Sequence, residues 1–252
     1  MATQFMFGSE RPVVSGSPSP LKMAVQQNQV TTRESAVFVG FSQFEVSEIL
    51  SCARRRSFEC DELLFSQGQT SRNMIVLQSG SAKHTQLSSN GDEVLLRMSG
   101  TGDAINLPLG PAASNHTCSV RAMEPCSAWV WDQARLQDVL DRYPQLQKNI
   151  SHLLQSRLQE LEERFREIST EKVARRLALA LLRLAKQIGK KTAKGVEISL
   201  SREELAQMTG TTLFTISRVL SRWAERGLVI PKRQAVIICD AEQLETVTDE
   251  AE

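Results

Sequence analysis

Eight side chains near the C-terminal end have the types and spacing to grip a nucleic-acid duplex: Thr211, Thr212, Phe214, Ser217, Arg218, Arg222, Lys232 and Arg233. A guanidinium can fork onto guanine O6 and N7, and an aromatic ring can lie against a thymine methyl. Hydroxyls and lysines meet phosphate oxygens, which position a protein without reading sequence. Thr212, Phe214, Ser217, Arg218 and Arg222 fall on one side of a helical period. Ile216, Val219, Leu220 and Trp223 fall on the other side and are expected to face a core.

The elements that must hold these residues are legible around them. Ser201 with Glu204 three positions on is a capping box that starts a short helix, whose apolar positions are Leu205 and Met208. Thr209-Gly210-Thr211 breaks that helix, because glycine takes the positive φ of a sharp interhelical turn. Gly227 closes the second helix, and Lys232 and Arg233 sit at the tip between two short apolar runs. The pattern predicts a winged helix-turn-helix over residues 170–241.

Charge supports the same partner. Residues 171–240 hold 14 Lys and Arg against 6 acids, whereas residues 1–170 hold 16 against 18. A chain of net charge +1 thus contains one strongly basic segment, as expected for phosphate contact. Residues 242–252, with five acids and no base, read as an acidic tail.

Upstream, residues 1–30 are rich in Ser, Pro and Gln without periodicity and read as a disordered tail. Within 31–133, short apolar runs at 63–65, 74–77, 94–98 and 128–131 alternate with turn signals, Asn90-Gly91 foremost. This predicts an antiparallel β-barrel of the jelly-roll kind. Residues 134–169 contain a long helix from about Pro144, with an apolar stripe through Leu146, Ile150, Leu154, Leu158, Leu161, Phe165 and Ile168. A surplus seam on so long a helix suits dimerisation. Thr170 is expected to cap the next helix, and 190–195 to be a basic loop before a strand at 196–200. No apolar run approaches the roughly 20 residues that span a bilayer, and no signal peptide is evident. Five dispersed cysteines argue against a disulfide framework, which fits a reducing cytoplasm.

The order of barrel, long helix and winged helix-turn-helix resembles the cyclic-AMP receptor / fumarate-and-nitrate-reduction (Crp/Fnr) family of bacterial transcription regulators. The likeness runs over about residues 32–242 and is strongest in LAQMTGTTLFTISRVLSRW and GDAINLPLGPAASNHTCSVRA. It implies an α+β fold, a homodimer, a palindromic DNA operator, RNA polymerase as a partner, and a barrel that senses a signal. Ser217 and Arg218 match the family's reading positions, but Phe214 stands where that family carries Glu. In the sensor, Asn106-Leu107 replaces the Gly-Glu pair that holds a ribose. His116-Thr117 replaces the Arg-Ser/Thr pair that holds a cyclic phosphate. Cyclic AMP is therefore not expected, and the effector pocket is placed at Asn106, His116, Thr117 and Leu154.

Two cofactor alternatives stay open within the family. Haem would take His116 or His152, and an iron–sulfur cluster, ranked below it, would need Cys52, Cys60, Cys118 and Cys126. A barrel enzyme with a helical oligomerisation module is the competing class. The clustered His and carboxylate ligands of a metal-dependent barrel are missing, so no enzymatic activity is expected.

Overall fold

The computed structural model describes residues 35–70, 73–91, 93–107 and 115–247. The tail expected over 1–30 and the end of the acidic segment lie outside them. After a 3-10 turn at Ala36–Phe38, helix α1 (Gln43–Ser51) begins with a second capping box, Ser42 and Glu45. Eight strands follow: β1 (Arg54–Phe58), β2 (Leu63–Phe65), β3 (Met74–Ser79), β4 (Ala82–Leu87), β5 (Glu93–Ser99), β6 (Ala104–Asn106), β7 (Ser119–Ala122) and β8 (Cys126–Trp131). They form two antiparallel sheets, ordered β1-β8-β3-β6 and β2-β7-β4-β5. The expected barrel is thus a two-sheet jelly roll. Phe58, Phe65, Ile75, Leu77, Val120 and Val130 fill the space between the sheets. Asn90-Gly91 turns the β4–β5 hairpin as expected.

Strand β1 has no apolar alternation, since its Arg54, Arg55 and Arg56 are all exposed. Among the described residues it pairs only with β8, and cations on an edge strand protect it from further pairing. The outer face of the first sheet carries Met74, Val76 and Trp131, which pack against α1, α2 (Gln133–Arg142) and the start of α3 (Pro144–Thr170). Trp131 donates its indole N–H to the Ile49 carbonyl at 3.0 Å. Asn149 of α3 donates to Val37 and Val39, at 2.9 and 2.8 Å, tying that helix to the N-terminal turn.

Helix α3 has 27 residues. Its first turns are buried, but Leu158, Leu161, Phe165 and Ile168 are 51–74% exposed, at spacings of three, four and three. That spacing is an a/d seam, left exposed among the described residues. Thr170 does not cap the next helix as expected. It ends α3, donating its hydroxyl to the Arg166 carbonyl at 2.9 Å, and Lys172 precedes α4 (Val173–Ile188).

The C-terminal module continues with β9 (Lys190–Thr192), β10 (Gly195–Ile198), α5 (Arg202–Thr209), α6 (Leu213–Glu225), β11 (Val229–Pro231), β12 (Val236–Ile238) and α7 (Ala241–Glu245). The expected 190–195 loop is an exposed edge strand and turn; β9 pairs with β10. Its lysines carry no hydrophobic signal, so only the register of the hairpin reveals it. The acidic segment is also corrected: Asp240 caps α7, and Leu244 and Val247 are buried in the module's core. Two apolar residues among acids make one helical turn adhesive without producing a visible period. Leu95 and Met98 of β5 join the same core, so module and jelly roll share buried surface. Gly100 lies at that junction, where an added Cβ would collide with the Gln187 carbonyl.

Candidate functional site

The two helices of the helix-turn-helix are held as the residue pattern requires. The Ser201 hydroxyl accepts from the Glu204 N–H at 3.2 Å, and the Glu204 carboxylate accepts from the Ser201 N–H at 2.9 Å. Gly210 ends α5 in the left-handed conformation, φ 61° and ψ 47°. Thr212 caps α6, accepting from the Thr215 N–H at 3.2 Å. Ile216, Val219, Leu220 and Trp223 are buried, with Trp223 and Ile216 fully enclosed.

The opposite face of α6 is the candidate contact surface. Phe214 is 87% exposed, Thr212 and Arg218 are exposed, and Thr211, Ser217 and Arg222 are half-buried. Phe214, at the first turn of the helix, is the most exposed large hydrophobic side chain among the described residues. Arg218 and Arg222 border a crevice with Thr215 and with Lys172 and Val173 at the start of α4. Two helices therefore gather cations beside the α6 face.

At the wing, the Lys232 N–H donates to Ala235 at 2.8 Å and closes the tip between β11 and β12. The two tip cations are not equivalent. The Lys232 ammonium is paired with Glu197 of β10 at 2.6 Å, whereas Arg233 is exposed.

The four expected effector residues each have their own surroundings. Asn106 donates to the Asn73 carbonyl, Thr117 is exposed, and Leu154 packs with the Trp131 cluster. His116 stacks on Phe65 with centroids 3.9 Å apart, and burial lowers its pKa. Its Nε2 is buried without a hydrogen-bond partner among the described residues. His152 is exposed on α3.

The cysteines do not converge as a four-thiolate cluster requires. Cys60 donates to Met123, Cys126 donates to Ser81 and Glu124, and Cys118 lies 3.9 Å from His84 Nδ1, while Cys52 lies within 4.0 Å of Arg142. Among the described residues no group of three or more His, Cys, Asp or Glu is placed to hold a metal ion. Nor is any helix among them long and apolar enough to cross a membrane.

Comparison with known proteins agrees with this architecture. Residues 55–143 match the cyclic nucleotide-binding domain, and residues 175–247 match the Crp-like helix-turn-helix domain. The chain is 31% identical over 179 residues to the "Probable transcriptional regulator flp" of Lacticaseibacillus casei, covering 70% of this chain and 79% of that protein. The chain belongs to the Crp/Fnr family of transcription regulators. Another relative in this family is the "Electron transport regulator A" of Shewanella oneidensis, 25% identical over 79% of this chain and 80% of that protein. The "Cyclic AMP receptor protein" of Thermus thermophilus is 27% identical over 84% of this chain and 96% of that protein. The fold matches the solved structure of FixK2 from Bradyrhizobium japonicum with a TM-score of 0.68, at 19% identity over 79% of this chain and 99% of that one. This Crp/Fnr chain is therefore a transcription regulator with a DNA-binding module and an effector-binding type of domain, and not an enzyme.

Residue types alone did not single out Arg97, Arg157, His84, Ser99 and Asp103, which meet where the jelly roll abuts α3. The one available signal was an arginine, Arg97, inside the otherwise apolar run of β5.

Proposed function

We propose that this Crp/Fnr regulator acts as a cytoplasmic homodimer on a palindromic operator, with RNA polymerase as its further partner. Its two α6 helices would enter major grooves about one helical turn apart. The observation that carries this reading is the outward face of α6, where exposed Phe214 and Arg218 stand over a fully packed inner face. Arg218 is assigned to guanine and Phe214 to a thymine methyl, with Thr211, Thr212, Ser217 and Arg222 supporting them at bases and phosphates.

Selection on random duplexes, followed by anisotropy on the winning site, tests it. Arg218→Ala is expected to cost about 1–3 kcal/mol on the cognate site and to spare non-specific binding. Arg233→Ala should weaken all sequences alike and reduce the salt slope by about 1. Lys232→Ala should do less than Arg233→Ala, because Glu197 already occupies that ammonium. Unchanged site preference in Arg218→Ala would remove α6 from the groove.

The signal is proposed not to be a cyclic nucleotide, since Asn106 is turned to the Asn73 carbonyl and His116 to Phe65. Calorimetry is expected to show no binding of cyclic AMP or cyclic GMP; micromolar affinity for either would overturn this. Haem is the alternative signal group, favoured by the unpartnered Nε2 of His116. A haem absorption band in the purified chain, lost in His116→Ala, would establish it.

A further inference from the structure

Two cysteines hold the turn between β7 and β8, residues 123–125, which helps dock the jelly roll on the DNA-binding module. Phe58, at the end of β1, pairs with Cys126, at the start of β8, and Cys60 lies two residues beyond that pair. The two cysteines therefore stand on a diagonal of the sheet, a spacing of roughly 7–8 Å. Cys60 is close enough to act electrostatically on Cys126. Cys60 donates its S–H to the Met123 carbonyl at 3.4 Å. Cys126 shares its S–H between the carbonyls of Glu124 and Ser81, at 3.1 and 3.2 Å.

The same turn is built into the junction of the two domains. Met123 packs against the core that the jelly roll shares with the module. The Glu124 carboxylate accepts from the Ser81 hydroxyl at 2.9 Å and from the Lys190 ammonium of β9 at 2.6 Å. A second ion pair, Lys83 with Glu204 at 3.0 Å, crosses between the domains at the capping box that starts α5. The two thiols are unequal. Cys60 is exposed, so an oxidant in solution reaches it first. Cys126 is buried, and burial raises its pKa and keeps it a protonated donor. An accessible cysteine beside a second, resolving one is the arrangement of a reversible thiol sensor. In a reducing compartment such a disulfide is a transient signal and not a structural staple.

We propose that Cys60 and Cys126 close a reversible disulfide on oxidation by a peroxide, and that closure loosens the DNA-binding module from the jelly roll. This adds a redox input to the regulator, separate from any effector. The Cys60 sulfur attacks one peroxide oxygen, the O–O bond breaks, and the thiol proton leaves in a molecule of water, so that Cys60 becomes a sulfenic acid. The Cys126 sulfur then attacks the Cys60 sulfur. The S–O bond breaks, and the hydroxyl leaves with the Cys126 proton as a second water. The two thiols lose two electrons, and one hydrogen peroxide is reduced to two waters. A disulfide carries no S–H, so the bonds to Met123, Glu124 and Ser81 are lost together. Its Cα atoms must also lie within roughly 4.4–6.8 Å, so closure draws the turn and the end of β1 together by roughly 1–2 Å. That movement pulls Glu124 from Lys190 and Met123 from the shared core. With the module unpinned at this corner, two reading helices no longer keep one spacing.

The test treats the reduced full chain with equimolar hydrogen peroxide, alkylates the remaining thiols and maps the digest by mass spectrometry. A peptide pair joined through Cys60 and Cys126, two hydrogens lighter than the free peptides and separated by dithiothreitol, is expected. Cys52, Cys118 and Cys239 should be alkylated. Peroxide should lower affinity for the selected duplex by about tenfold or more, as simultaneous engagement of both half-sites is lost, and dithiothreitol should restore it. Cys60→Ser, at an exposed position, should bind that duplex as the reduced parent does and ignore peroxide. Cys126→Ala should stop at the sulfenic acid, captured on Cys60 by dimedone; if that variant does not fold, Cys60→Ser decides. Cys60 left alkylated, over-oxidised or joined to another cysteine overturns the proposal. So does a link between Cys60 and Cys126 that leaves DNA affinity unchanged. The link is read by mass, so its absence is distinct from a reduced chain that fails to bind DNA, which refutes the proposed function instead.

Discussion

Leu161→Glu combined with Phe165→Glu is expected to convert the protein to a monomer and to lower its affinity for a palindromic operator by about 10²–10⁴-fold, the gain that linking two half-site readers provides. Leu161 is 63% exposed and Phe165 is 74% exposed, so in one chain the two carboxylates would sit in water and disturb nothing. In a dimer seam each would replace a side chain whose burial stabilises by about 1.5–3 kcal/mol, and would bring like charges together. Leu154 belongs to the same stripe in the sequence but packs with the Trp131 cluster of its own domain, so a charge there would test folding instead. Light scattering measures the mass, and anisotropy on full and half operators measures the affinity. A double variant that remains dimeric would move the interface off α3.

Trp223→Ala is expected to unfold the C-terminal module selectively. Trp223 is fully enclosed among residues including Leu177, Leu181, Leu205, Ile216 and Leu228, which come from α4, α5, α6 and the segment before β11. Removing so large a buried side chain costs about 3–5 kcal/mol, a large share of the about 5–15 kcal/mol that holds a domain together. Thermal unfolding should acquire an early transition, and operator binding should fall with it, while light scattering should still report the proposed α3 dimer. Trp223→Phe should cost less, because the indole N–H is buried without a partner among the described residues and its loss removes an unmet donor. An unchanged unfolding profile in Trp223→Ala would contradict the core described above.

The DNA-binding module was readable in advance because its determinants are local. A capping box spans four residues, a turn glycine needs only its own φ, and Ile216, Val219, Leu220 and Trp223 repeat within about two turns of one helix. The family resemblance added the arrangement of domains and showed Asn106-Leu107 and His116-Thr117 at the two motif positions where the residue types depart from the family's.

The sequence did not disclose what depends on residues far apart in the chain. Strand β1 is visible only as the partner of β8, some seventy residues on, because its arginines carry no apolar alternation. Strand β9 and helix α7 likewise take their order from the surfaces they cover. The junction of Arg97 and Arg157 is the clearest case. On paper one interrupts an apolar strand and the other lies on the polar side of a helix. Only packing α3 against the jelly roll withdraws both guanidinium groups toward the same strand. Composition and period determined which helices and turns form, since those follow from contacts a few residues apart. Burial and charge compensation were decided by the tertiary structure, because the field at a buried group is set by neighbours that the order of residues does not make adjacent.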